Sequence, residues 1–285
     1  MKTLLKNLAR QPSAWLALLL LALAIGSALT AGLWFPGDPL EMVGAPYLAP
    51  GEDGEFPLGT DLMGRDLLAG LMHGARVSLL VGGMAALIAL VIGVGIGALA
   101  GFYRGRLDSV LMRVTEFFQT IPAFLLAIIL VAVLQPSLWT IVLALGVTSW
   151  TGVARLTRGE FLALREREFV RAAEALGASP LRLMVLEILP NALTPIIVST
   201  ALLVANAILS EAGLAFLGLG DPNHVSWGSM VGSGREALRT AWYMTALPGA
   251  AVMLTVLALN LLGDALNTAL NPRLAVRRRA QPAVA

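Results

Sequence analysis

The sequence predicts an all-α, polytopic membrane protein with six transmembrane helices, and three observations carry that prediction. Of the 285 residues 57% are hydrophobic and only 13% charged, which is more apolar surface than one soluble core of this length can hide. Uncharged runs extend over residues 11–37, 77–103, 117–154, 188–210 and 240–263. The basic residues fall between those runs with a strong bias to alternate segments, as they do in a chain folded back and forth through a bilayer.

A spanning helix needs about 20 apolar residues, so the third run is long enough for two helices, with Pro136-Ser137 as the break. The spans fall near residues 14–34, 79–102, 121–134, 138–153, 192–210 and 242–262. With the N-terminus inside, the cytoplasmic set of basic residues is Lys2, Lys6, Arg10, Arg104, Arg106, Arg113, Arg155, Arg158, Arg165, Arg167, Arg171, Arg182, Arg273, Arg277, Arg278 and Arg279. The outer set is Arg65, Arg76, Arg235 and Arg239, an asymmetry of 16 against 4 that predicts both termini in the cytoplasm. These charges act as orientation signals on separate loops, with no aromatic-interleaved basic patch of the kind that binds nucleic acid. Cysteine is absent, which excludes disulfides, Cys-based metal sites and thiol catalysis.

The order along the chain follows. Residues 1–13 form a cytoplasmic N-terminus and 14–34 an uncleaved first span, too long for a signal-peptide core. Residues 35–76 form an extracytoplasmic segment, rich in Gly and Pro and acidic at Asp38, Glu41, Glu52, Asp53 and Glu55. Within it Thr60 or Asp61 is expected to cap a short interfacial helix whose apolar positions are Leu62, Leu67, Leu68 and Leu71. Residues 77–273 form a core of five spans with a cytoplasmic loop at 155–190, and 274–285 a cytoplasmic basic tail. In the second span Gly93, Gly97 and Gly101 recur every fourth residue, a stripe that lets helix backbones touch. The apolar stretch from Glu211 to Gly220 is expected to lie at the outer interface or to re-enter shallowly, with Trp227 and Trp242 anchoring that boundary.

The most informative segment is the polar island between the fourth and fifth spans. It reads Arg171-Ala172-Ala173-Glu174-Ala175-Leu176-Gly177-Ala178-Ser179-Pro180, followed by Leu189-Pro190. Ala172 and Ala173 let another surface approach closely, Gly177 breaks the helix, and Ser179-Pro180 restarts it as N-cap and first residue. Two short helices at an angle are expected. An ordinary surface helix with a Gly stop satisfies the same local rules.

This pattern resembles the EAA loop of the membrane subunits of ABC importers, with Arg171 where the motif has its leading Glu and Glu187 where it has Ile. Further strings are similar to the permeases of the dipeptide, oligopeptide and nickel branch, shorter type. They include Leu58-Gly59-Thr60-Asp61 with Gly64-Arg65-Asp66, Gly101-Phe102-Tyr103-Arg104-Gly105, Glu211-Ala212-Gly213, Phe216-Leu217-Gly218-Leu219-Gly220, Ser226-Trp227-Gly228, Asn260-Leu261-Leu262-Gly263-Asp264 and Asn271-Pro272-Arg273. The resemblance spans residues 10–273. It implies the type I ABC importer permease fold in the inner membrane of a prokaryote, surrounded by membrane lipids. It also implies two cytoplasmic ABC ATPase subunits gripping Arg171, Ala172, Ala173, Glu174, Gly177, Ser179, Pro180, Leu189 and Pro190, a second homologous permease, and an extracytoplasmic solute-binding protein.

The implied function is the permease subunit of an ATP-driven importer for di- or oligopeptides, with nickel or another small solute as the alternative cargo. No cofactor and no catalytic role are expected of this chain, because its two lysines, Lys2 and Lys6, stand in no phosphate-binding loop. An ion-coupled secondary transporter is the rival mechanism; it calls for ionisable residues buried at mid-membrane, and none is expected in the middle of a span, Asp264 falling at the inner end of the sixth.

Overall fold

The computed structural model describes residues 11–270. Lys2, Lys6, Arg10, Asn271-Pro272-Arg273 and the expected basic tail lie outside the described residues. Within them every regular element is a helix, apart from one isolated bridge between Thr60 and Asp66.

Helix α1 (Pro12–Trp34) opens with proline in its first turn, where a missing N–H costs nothing, and turns its small residues Ala14, Ala17, Ala28 and Ala31 inward. The loop that follows is folded on itself by hydrogen bonds rather than helical. Buried Thr60 donates to the Ala45 carbonyl at 2.5 Å and accepts from Leu48 N–H at 3.0 Å, while Asp61 accepts from the N–H groups of Met63 and Arg65. The expected interfacial helix capped by Thr60 or Asp61 is therefore absent. Asp66 is the cap, accepting from Leu68 N–H at 2.8 Å, and α2 (Leu67–Tyr103) runs from it without interruption for 37 residues.

Helix α2 packs along α5 (Leu138–Arg165) through the expected glycine stripe. A Cβ at Gly93 would stand 2.5 Å from Val153 Cβ, and one at Gly101 would stand 2.6 Å from Phe161 Cβ. At Gly97 it would run into the Ala154 carbonyl. Only hydrogen fits at these three positions.

The third span differs from the sequence expectation. Residues 121–134 contribute only the 12-residue helix α4 (Ala123–Leu134), about 18 Å long at 1.5 Å per residue and too short to cross alone. Helix α3 (Gly105–Thr120) completes it across an 80° bend at Ile121-Pro122. Among the described residues five helices are long and apolar enough to span a bilayer, and the count rises to six when the bent α3–α4 pair is taken as one span. After Gln135, Ser137 caps α5 by accepting from Thr140 N–H, so the break beside Pro136 falls where the sequence places it.

Helix α5 continues twelve residues past the expected end at 153, to Arg165. Hydropathy stops early there because charges enter the helix, but two of them find partners on α3: Arg155 donates to Gln119 at 2.8 Å, and Arg158 to both oxygens of Asp108 at 2.5 and 2.6 Å. Helix α6 (Glu168–Ala175) then lies before α7, which runs from Pro180 to Leu219. Helices α8 (Trp227–Gly234) and α9 (Tyr243–Leu270) finish the described chain. The 211–220 stretch, expected as a separate interfacial segment, is the C-terminal end of α7, closed by Gly218 at φ 84°. Trp242 is exposed as an interfacial anchor would be, whereas the Trp227 indole is buried and donates to the Leu71 carbonyl at 2.9 Å.

Candidate functional site

The residues of the 171–190 loop form one compact unit at the end of the bundle where α2, α5 and α7 meet. Val170 is fully buried and packs with Phe102 of α2, Phe161 of α5 and Leu183, Met184 and Ile188 of α7. This cluster seats α6 on three spans at once. Removing apolar surface from water at about 25 cal/mol per Å² is what holds an eight-residue helix there, since one so short is not stable alone.

The helix ends as its sequence dictates. Gly177 adopts φ +82°, its N–H donates to the Glu174 carbonyl at 2.9 Å, and Ala178 N–H reaches back to the Ala173 carbonyl at 3.1 Å. This is the Schellman closure, with glycine in the left-handed position. A Cβ at Gly177 would meet nothing within 4 Å, so the backbone angle alone selects glycine. Ser179 then accepts from Arg182 N–H at 3.4 Å with Pro180 behind it, restarting α7. Pro190 has no N–H to give, and α7 accommodates it with a π-helical stretch over Leu183–Ile188, in which Leu189 N–H reaches the Met184 carbonyl five residues back.

The two alanines separate. Ala172 is exposed, as a docking position requires, but Ala173 is half-buried against the chain's own apolar cluster. Arg171, where the motif has Glu, reaches Glu166 at 2.5 Å, and Arg104 at the end of α2 reaches the other oxygen of Glu166 at 2.6 Å. The two guanidiniums, Arg171 first and Arg104 second, hold the Glu166 carboxyl below its ordinary range. Glu174, Ser179, Pro180 and Pro190 are exposed and Leu189 is half-buried.

Sequence reasoning missed Leu176. It is 90% exposed at the tip of the loop, with Leu181 exposed beside it in sequence and Phe169 on α6. Its position one residue before Gly177 was the available signal.

A second feature lies near the opposite end of α7. Glu211, expected at the edge of an interfacial segment, is only 2% exposed inside the helix. Ser78 of α2 donates to its carboxyl at 3.2 Å, Ser226 also bonds to it, and Ser78 accepts from Trp227 N–H. Glu211 follows directly on the uncharged run 188–210 and lies eight residues before the end of α7 at Leu219, away from the middle of the span. Its partners are hydroxyls that tie α8 to α2 and α7. The histidines serve as local ties: His73 bonds the Phe35 carbonyl at 2.9 Å and His224 bonds Asp221 at 2.9 Å.

Comparison with known proteins agrees with this architecture. Residues 93–276 match the family described as binding-protein-dependent transport system inner membrane component. The chain is 40% identical over 280 residues to the di/tripeptide transport system permease protein DppC of Pseudomonas aeruginosa (strain UCBPP-PA14), covering 96% of this chain and 92% of that one. It is 39% identical over 226 residues to the oligopeptide transport system permease protein OppC of Bacillus subtilis (strain 168), covering 79% and 73%. Its fold is similar to a chain of the MetNI methionine ABC transporter in inward-facing conformations, with a TM-score of 0.58 and 18% identity over 71% of this chain and 96% of that one. An all-helical bundle with five to six candidate spans, a loop helix seated on three of them, and sequence relatives over nearly its whole length together place it: this chain belongs to the binding-protein-dependent transport system inner membrane components, the permeases of ABC importers.

Proposed function

We propose that this chain is one half of the translocation pathway of an importer for di- or oligopeptides, driven by two ABC ATPase subunits that dock on α6. A second homologous permease completes the pathway, and a solute-binding protein delivers the peptide to the outer face. Both termini are cytoplasmic in this reading. The peptide substrate is supported by the names of the relatives at about 40% identity. The observation that carries the mechanical role is the seating of α6: Val170 joins it to α2, α5 and α7 in a single buried cluster, while Leu176 projects outward.

Closure of the ATPases displaces α6. Because the cluster joins α6 to the spans on either side of it, α5 and α7 tilt with it and the pathway opens outward by rigid-body motion. Hydrolysis belongs to the partner subunits. The test is Leu176→Asp: the side chain is outside the core, so the protein should be made at normal levels, while co-purification of the ATPases and peptide uptake should both fall at least tenfold. A Leu176→Asp transporter that keeps its ATPases and its uptake rate would remove α6 as the docking element.

A further inference from the structure

On α7, Pro195, Ser199, Leu202, Asn206, Ser210 and Gly213 recur at spacings of three and four residues and so share one face. The opposite face is committed: Ile208 packs where Gly82 of α2 leaves room, and Ala201 lies against Gly263 of α9. On the shared face Asn206 is exposed, and its amide has no hydrogen-bond partner among the described residues. It stands eight residues, about 12 Å at 1.5 Å per residue, inside Leu214, within the uncharged run 188–210. An amide carries two donors and an acceptor, and leaving them bare in hydrocarbon is strongly unfavourable. This face therefore does not meet lipid.

A second observation reaches the same conclusion from the backbone. The α3–α4 span is broken by 80° at Ile121-Pro122, with Pro122 and Ala123 exposed and no side chain capping α4. Open backbone within a membrane is tolerated where it is covered by protein or lines a watery cavity. The two features adjoin: the Phe124 ring lies where a Cβ on Gly213 would meet it at 3.1 Å, so the break sits over the Asn206 face, two turns from the amide.

We propose that Asn206 lines the water-filled pathway and hydrogen-bonds the backbone amides of the passing peptide. This deepens the peptide-importer reading and rests on it. A side-chain amide donates and accepts as a peptide group does, so it recognises the main chain of any peptide without selecting its side chains. The α3–α4 break supplies the opening through which the peptide backbone reaches it.

The chain has no cysteine, so single-cysteine variants report cleanly on it. In the complete transporter reconstituted in vesicles, Asn206→Cys is compared with Leu23→Cys, a control on α1 that is 62% exposed and has Leu19 and Leu20 one turn before it. A charged, membrane-impermeant thiol reagent should modify Asn206→Cys at least tenfold faster than Leu23→Cys, and trialanine supplied with the binding protein should slow it several-fold. Asn206→Leu, similar in volume but without the amide, should lower trialanine uptake at least tenfold with assembly intact, and Asn206→Gln should restore part of it. Labelling as slow as the control, or wild-type uptake by Asn206→Leu, overturns the inference. Wild-type uptake of trialanine in the same vesicles separates the two layers. Uptake beside an unreactive Asn206→Cys removes this inference alone, whereas a reactive Asn206→Cys in vesicles that import no peptide removes the substrate.

Discussion

Arg158 on α5 donates from both Nε and Nη2 to the two carboxylate oxygens of Asp108 on α3, at 2.5 and 2.6 Å, fifty residues away in the chain. This fork-on-fork pair fixes the otherwise exposed α3 to α5, just before α5 hands over to the α6 loop. It ties the first half of the broken third span to the helix that leads into the α6 loop.

Separating that pair should loosen α3. Asp108→Asn leaves Arg158 without its charged partner and is expected to cost about 1–3 kcal/mol, with Arg158→Lys costing less than Arg158→Ala. Thermal unfolding of the detergent-purified transporter measures this, and a double-mutant cycle should give a coupling energy clearly above zero. Additive losses would mean that the two groups do not support each other.

The α2–α5 contact gives a paired test within one helix. Gly97→Leu forces a side chain into the Ala154 carbonyl and Thr157, while a Cβ at Gly95 meets nothing within 4 Å. Gly97→Leu should therefore cost at least about 1–3 kcal/mol of overpacking and sharply lower abundance. Gly95→Leu should be made normally. Equal abundance of the two variants would contradict the close packing.

At the 171–180 loop, Gly177→Val and Ala173→Arg should fail for different reasons. The first strains a left-handed backbone by about 1–3 kcal/mol without any clash, so α6 should remain seated while its tip is misaimed. The second drives a charge into the apolar cluster and should unseat α6 from α5 and α7. Proteolysis of the loop in native membranes should rise more for Ala173→Arg than for Gly177→Val, with uptake reduced in both.

Acid should loosen the junction between Asp221 and the start of α5. Burial alone would push Asp221 up, but the N–H groups of Asn223 and Leu138 and the His224 ring outweigh it and hold the carboxyl below its ordinary range. A lowered pKa in the folded state means that this stabilisation is complete above the unfolded value of about 4. It is lost as pH falls through the lower, folded one. Thermal stability should thus fall below about pH 4, and Asp221→Ala should remove that part of the acid dependence while lowering stability at neutral pH. An unchanged acid profile in Asp221→Ala would assign the loss to other groups.

Topology is checked with reporter fusions. Those at Gly51 and Asn223 should report outside, and one at Glu168 inside. A cytoplasmic Gly51 would invert the arrangement and place α6 away from the ATPases.

The sequence by itself determined what depends on short stretches of chain. Hydropathy located the spans, Ser137 and Gly177 marked a start and a stop, and the glycine stripe announced a close helix contact; each is a local preference that operates before any distant part of the chain arrives. Other features were decided only by which helix faces met. Ala172 and Ala173 are identical in sequence terms, yet one is exposed and the other packs inward, because α6 rolls to bury Val170. Hydropathy ended α5 at its first charges, while the folded chain carries it on to Arg165 by supplying Gln119 and Asp108 as partners from α3. Glu211 looked like the edge of a surface segment until Ser78, 133 residues away, gave its carboxyl a buried partner. A buried carboxyl inside a membrane protein is tolerated only when its hydrogen-bond partners are in place, and their positions are a property of the assembled tertiary structure rather than of the neighbouring sequence.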